Sequence, residues 1–390
     1  MIEKALTGSR GYWGWLFALA AVVCVGLAAY LRQFFEGLTV TGLSRDVIWG
    51  FYIAQFTFLV GVAASAVMVV MPYYLHDYKT FGRITILGEF LAVPAVLMCM
   101  LFIFVDMGQP IRVLNVILHP TPNSVMFWDM IVLTGYLLLN IVIGWTTLDC
   151  ERNAVPPPKW VKPLIVLSIP WAVSIHTVTA FLYSGLPGRH FWLTAIMAPR
   201  FLASAFASGP ALLILLCMIV RRVSRFDPGK DAMQKLATIV VYAMLINIFF
   251  VFMEIFTAFY SAIPSHIHSL EYLFFGLRDE TGTLHAELVP WMWSAAALGF
   301  AGIAILLTKK LRVSEGWLAL ACVMIFAATW IDKGLGLIVG GLIVTPLEAV
   351  AEYVPSLTEL LITLGVYGIG FLVLSLLYKI AISVKEKAAD

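Results

Sequence analysis

Seven side chains able to hydrogen-bond or to carry a proton sit in runs of sequence that are otherwise apolar: Glu89, Asp106, Asp129, His176, Asn247, Glu254 and Asp332. A charge withdrawn from water is costly, so a deep ionisable residue implies a partner, a cavity or a proton path. His176 is the candidate base, because imidazole titrates near neutrality. Asp129 and Asp106 are candidates to pass a proton to the nearer surface, with Arg112 tuning their charge. Glu89, Asn247 and Glu254 are candidates for a proton path on other helices. Asp46, Asp106 and Asp332 close or open apolar runs, where the bland expectation is a solvated cap or a partner for Arg45, Arg112 and Lys333.

The ligands for a metal or haem are not in evidence. Cys24, Cys99, Cys150, Cys217 and Cys322 are isolated, without a C-x-x-C pair, which argues against an iron-sulfur cluster or a zinc site in this chain. A transmembrane b-type haem needs facing histidines, and of the seven histidines His176 alone lies well inside an apolar run. The chain is expected to carry no haem of its own.

The elements that must position these groups are membrane helices. The composition is 61% hydrophobic and 12% charged, with a mean hydropathy of +0.94, against about 25% charged residues in a soluble domain. A hydrocarbon core takes about 20 apolar residues per helix. Ten stretches qualify: 12–31, 48–72, 84–106, 125–147, 161–183, 200–220, 236–259, 288–308, 315–333 and 358–379. The expected fold is an all-α integral membrane protein of ten spans, a single polytopic domain over residues 1–390. The charged N-terminus reads as an uncleaved anchor.

Eighteen of the 25 lysines and arginines, among them Arg221, Arg222, Lys379, Lys385 and Lys387, fall on the side that holds both termini and the even-numbered loops. The remaining seven fall on the other. The rich side is expected to be cytoplasmic. The net charge of +2 thus reflects topology, and carries no nucleic-acid signal. With the spans so directed, His176 lies about 21 Å along the fifth span at 1.5 Å per residue, past the midplane. Asp129, Glu254 and Asp332 fall in the same half, away from the basic face; Glu89 lies near the basic face.

Two outer loops, 106–129 and 184–200, mix Gly, Pro, Arg, His and Trp with apolar residues, as expected of a lid or of a partner surface. The segment 334–354 is expected to lie in the interface plane. Spans two and six each begin with an arginine and carry a patch of small residues midway, which suggests a parallel repeat: one four-helix bundle over 48–183, a second over 200–333, flanked by spans one and ten.

Four motifs carry a resemblance across nearly the whole chain: Trp49-Gly50-Phe51-Tyr52-Ile53-Ala54 with the F-x-F-L-V-G run that ends at Gly61, Asp106-x-Gly108-x-Pro110-x-Arg112, PTPNSxMFWD at 120–129, and SIPWAVSIHT at 168–177. Together they resemble the NrfD-like, or polysulfide-reductase membrane subunit, family, and within it the DsrP-type ten-span subunits of sulfur-metabolising complexes. The resemblance implies a haem-free subunit with two four-helix bundles and menaquinone or menaquinol bound in the outer half of the membrane. It also implies a docked extracytoplasmic ferredoxin-like iron-sulfur subunit, alongside other membrane, cytochrome c and iron-sulfur subunits, in the prokaryotic cytoplasmic membrane. Trp49, Tyr52, Gln55, His176 and Arg112 become the candidates for contact with the quinone. Rival readings are a secondary transporter or proton-translocating channel, for which ten spans and a repeat also suit, and a non-catalytic anchor.

Overall fold

The computed structural model describes residues 2–389 other than 77, 280 and 348, and leaves out the side chains of residues 387–389, Lys387 of the basic face among them. Among the described residues, ten helices are long and apolar enough to cross a bilayer: span 1 (Arg10–Val40), span 2 (Phe51–Leu75), span 3 (Thr85–Asp106), span 4 (Val125–Arg152), span 5 (Val161–Ser184), span 6 (Met197–Val223), span 7 (Lys230–Ser261), span 8 (Val289–Leu307), span 9 (Glu315–Ile343) and span 10 (Leu357–Glu386). Helices are the natural solution, because lipid offers no partner to backbone N–H and C=O groups and a helix satisfies them within the segment. The sheet of the described residues is a two-stranded hairpin, β1 (Leu277–Arg278) against β2 (Leu284–His285), between spans 7 and 8.

Neighbour packing closes two rings. Spans 2, 3, 4 and 5 pack in sequence and span 5 returns to span 2; spans 6, 7, 8 and 9 do the same, span 9 returning to span 6. Spans 1 and 10 pair with each other and lean on span 3. The small residues anticipated in spans 2 and 6 are where the two rings meet. A Cβ on Gly61 would sit 3.4 Å from Ala205, and one on Gly209 would run into the Ser65 side chain. Small residues there let the backbones come close enough for dispersion contacts, the main attraction available where lipid is as apolar as the protein.

The segment after 333 departs from expectation. Its first part, 334–343, is buried within the protein. Ile331–Val339 is a π-helical turn followed by the helical Gly340–Ile343, and both are buried, the turn packing against span 2. The wide turn leaves the Leu337 carbonyl free to accept the Trp192 indole N–H at 2.7 Å. Gly341 lies against the same ring, where a Cβ would collide with it. On the basic face the ends are tied by ion pairs, Lys385 to Glu151 at 2.7 Å and Arg221 to Glu315.

Candidate functional site

The half of the first ring away from the basic face holds a set of buried polar groups contributed by four helices. His176, on span 5, is 1% exposed, and among the described residues neither ring nitrogen has a hydrogen-bond partner. One turn on, the Thr179 hydroxyl donates to Asp129 Oδ1 of span 4 at 2.8 Å, both residues being buried. A further turn on, the Tyr183 phenol bonds Thr57 of span 2, whose hydroxyl also reaches the Ile53 carbonyl at 2.8 Å. His176, Thr179 and Tyr183 share a face of span 5 because residues three and four apart on a helix are neighbours. Lys333 Nζ comes from the π turn of span 9, lies 4.1 Å from the centre of the Phe201 ring and has no hydrogen-bond partner. A Cβ on Gly61 of span 2 would sit 3.6 Å from the same nitrogen.

Aromatic rings close this set toward the acidic face. Trp49 stacks on Trp192 at 6.1 Å and meets Tyr183 edge-on at 5.6 Å, and Tyr183 also contacts Trp192 at 5.1 Å. The loop 184–200 is therefore a lid. Arg189 fastens it, donating to the carbonyls of Asp46 at 2.7 Å and Leu342 at 2.9 Å. Loop 106–129 behaves differently, with Ile111 81%, Leu114 58% and Leu118 66% exposed.

The remaining expected residues are dispersed. Tyr52 donates to Gln33 Oε1 of span 1 at 2.7 Å. Gln55 faces spans 9 and 10, its Oε1 accepting from Trp330 at 2.9 Å and Tyr367 at 2.7 Å, while its amide nitrogen is buried without a partner. One Asp106 oxygen is buried and, among the described residues, unpartnered. Arg112 is exposed, and among the described residues no ion pair joins it to Asp106 or Asp129. Glu89 has both oxygens unpartnered, beside a void of about 10 Å³ lined by Tyr136, Asn140 and Ser168. It stays within the first ring, whereas Asn247 and Glu254 are on span 7 in the second, so these three do not form one cluster.

Asp332 is not a solvated cap and does not pair with Lys333. Arg200, 5% exposed, donates to Asp332 Oδ1 at 2.8 Å and to Glu254, forming a buried triad of spans 6, 7 and 9. Charge counting places Arg200 among the outer basic residues; the one signal of its burial is its place inside an apolar run, directly after Pro199. Glu359, at the start of the apolar stretch 358–379, carries the same signal and is not among the expected residues. One of its oxygens accepts the Tyr353 phenol at 2.5 Å, the other the backbone N–H groups of Gly42 at 2.7 Å and Ser356 at 2.8 Å. The Tyr353 oxygen in turn accepts the Phe51 N–H at 2.7 Å and crowds Gly50, where no side chain would fit, which accounts for the Trp49-Gly50-Phe51 motif.

Outside the membrane spans, burial holds Glu352 above the usual carboxylate range; it accepts the Tyr272 hydroxyl at 3.0 Å. Asp279 in the hairpin is pulled down to about 2, first by the Thr281 hydroxyl and then by His285 and backbone N–H groups.

Comparison with known proteins agrees with the architecture. A protein of Halobacterium salinarum named as a "putative dimethyl sulfoxide reductase" membrane component is 25% identical over 92% of this chain and 89% of its own length. The corresponding component of the selenate reductase of Mesobacillus selenatarsenatis is 22% identical, over 92% and 91%. The Hdr-like menaquinol oxidoreductase integral membrane subunit of Archaeoglobus fulgidus is 22% identical, over 100% and 98%. Residues 39–346 match the family described as polysulphide reductase, NrfD, which is most of the chain, and this integral membrane protein belongs to that family.

Proposed function

We propose that this chain is the quinone-interacting membrane subunit of a respiratory oxidoreductase. It would exchange electrons between menaquinol or menaquinone and an extracytoplasmic iron-sulfur subunit, without a haem or cluster of its own. The observation that carries the proposal is His176: a buried imidazole with two unpartnered ring nitrogens, beside the Asp129–Thr179 pair and beneath a cage of aromatic rings. Relatives named as a menaquinol oxidoreductase subunit and, in Nitratidesulfovibrio vulgaris, as a menaquinone reductase subunit support it.

These residues fit a quinone head group chemically, since its ring oxygens need hydrogen-bond partners and a nearby base. Bound quinol would supply two electrons and two protons. His176 would hold one ring oxygen and take its proton, and Asp129, oriented by Thr179, would pass that proton toward the acidic face, with Asp106 closer to the surface. Trp49 would form a wall of the site. Tyr52 and Gln55, already bonded to Gln33 and to Trp330 and Tyr367, would hold span 2 in place beside it. Arg112 and the exposed Ile111, Leu114 and Leu118 would meet the iron-sulfur partner. Both termini would be cytoplasmic in a prokaryotic membrane, and the complex, with further membrane, cytochrome c and iron-sulfur subunits, would serve sulfur-compound metabolism as in the DsrP-type proteins. Glu89, with its unpartnered oxygens and adjacent void, favours a proton route to the basic face.

The test is turnover of the assembled complex with a soluble menaquinol analogue. His176→Gln and Asp129→Asn are each expected to lower quinol-dependent reduction of the iron-sulfur partner by about 100-fold or more, the scale of losing a positioned acid-base group. Unchanged turnover in both variants refutes the assignment. Solute or ion flux through the purified chain in liposomes would favour a transporter instead.

A further inference from the structure

Spans 7, 8 and 9 part on the lipid side of the second ring to leave a cavity of about 500 Å³. That is the size of a small-molecule site, for which about 300 to 1,000 Å³ is usual. Its wall is aromatic: Phe252, Phe259, Phe274, Trp293 and Phe300 line it. Polar groups enter at few points. The Thr329 hydroxyl is committed to the Ile325 carbonyl at 2.8 Å, and Asp332 holds Arg200 through one oxygen. Asn247 differs from both, being 3% exposed, lining the cavity and keeping a carbonyl oxygen without a partner.

A buried amide oxygen on an otherwise hydrocarbon wall is unfavourable unless something donates to it. A phospholipid acyl chain would fill the volume and leave the amide unpaired. A flat ring bearing a hydroxyl would satisfy it and would stack between the aromatic side chains. A second void of about 10 Å³ shares Val251, Ile255, Phe274 and Asp332 with the cavity and reaches Arg200 and Glu254, whose Oε1 is also unpartnered. A hydroxyl proton thus has a carboxylate near it.

We infer that this cleft is a second ligand site, apart from the one around His176, and that it takes a membrane-soluble hydroxylated aromatic ring, the class that includes isoprenoid quinols. The site does not depend on the role proposed for His176.

The test uses the full-length chain in nanodiscs, photolabelled in parallel with an azido-naphthoquinol and with a diazirine-acyl phosphatidylcholine. The naphthoquinol probe is expected to label peptides covering 244–259 and 292–300, and unlabelled naphthoquinol is expected to compete it away. Asn247→Leu and the cavity-filling Ala296→Phe should each lower that labelling about tenfold at unchanged melting temperature, while His176→Gln leaves it intact. Should either cavity variant unfold, a cryo-electron map of the wild-type chain with the probe decides, by ring density between Phe252 and Trp293. Labelling confined to spans 2 to 5, labelling of this cleft by the phospholipid probe alone, or an empty cleft in the map overturns the inference. Failure of both His176→Gln and Asp129→Asn to slow turnover would overturn the other site and leave this one standing.

Discussion

In the ring of spans 2 to 5 the buried titratable groups stand apart, whereas in the ring of spans 6 to 9 three of them, Arg200, Glu254 and Asp332, are joined. His176 and Glu89 have no hydrogen-bond partner and Asp129 has one hydroxyl, while Arg200 binds Glu254 and Asp332 together. Space is distributed the opposite way: the void beside Glu89 is about 10 Å³, and the cleft of spans 7 to 9 about 500 Å³. Two rings of the same build therefore treat polarity differently. In the first, unpaired groups are retained inside tight packing, where a ligand or a proton can complete them. In the second, Arg200, Glu254 and Asp332 pair within the protein, and the volume is left to a ligand with few polar groups. Lys333 marks the seam, since it comes from the second ring and its Nζ lies by Gly61 of the first, where a Cβ would sit 3.6 Å from it.

The largest effect should come from breaking the paired side of this contrast. Arg200→Met leaves Glu254 and Asp332 buried without their cation, and removing one member of a buried ion pair costs about 3–5 kcal/mol. Thermal unfolding in detergent is expected to show that loss, and Arg200→Met combined with Glu254→Gln and Asp332→Asn should recover most of it. His176→Phe is the counterpart on the unpaired side and should cost less than about 1 kcal/mol, because no hydrogen bond is lost. Equal destabilisation by the two single variants would erase the distinction.

The seam between the rings is the next place to press. Gly209→Val forces span 6 off Ser65 and should cost about 1–3 kcal/mol, as overpacking does, with a matching drop in melting temperature. A somewhat smaller loss, about 1–2 kcal/mol, is expected from Thr57→Val, which removes the bonds to Tyr183 and to the Ile53 carbonyl and leaves the buried phenol unpaired. The double variant Thr57→Val/Tyr183→Phe should lose less than the two singles added together, since both break the same bond. Strict additivity would mean that the bond does not hold span 5 to span 2.

The smallest effect is at the hairpin outside the membrane. Asp279 has its acidity raised to a value of about 2, against an ordinary 3.8. A depressed carboxylate stabilises the fold above the unfolded value and loses that contribution as pH falls through the folded one. Protection of the hairpin amides from hydrogen exchange is therefore expected to hold above about pH 4 and to decline toward pH 2. Asp279→Asn should flatten that profile, and an unaltered profile would show that the Thr281 and His285 contacts do not form in solution.

How much of this was readable from the residues varies by feature. The ten spans were, because each needs only its own run of apolar residues, and the family motifs were, because they are local. Trp49-Gly50-Phe51 could be quoted but not explained: the reason for its glycine is the Tyr353 phenol, some three hundred residues further on. The apolar stretch after Lys333 misled, since the same composition suits an interfacial loop and a buried π turn; only packing against span 2 and Trp192 separates the two. The cluster at His176 was partly visible through depth counting. The dispersal of Gln55, Tyr52 and Arg112 was not, because depth says nothing about which way a helix is turned.

Residue type and order alone thus determined the solvent of this protein, the number of its helices and the crowding of its basic residues on one face, all of which follow from transferring short segments between water and lipid. Tertiary structure decided the partners. Arg200 meets Glu254 and Asp332 across 54 and 132 positions of chain, Lys333 points at a phenylalanine ring, and Asn247 faces a cleft. The reason is physical: once the helices are in lipid, no hydrophobic force ranks one helix face above another. Rotation and register are left to close packing and to the few polar contacts that packing allows.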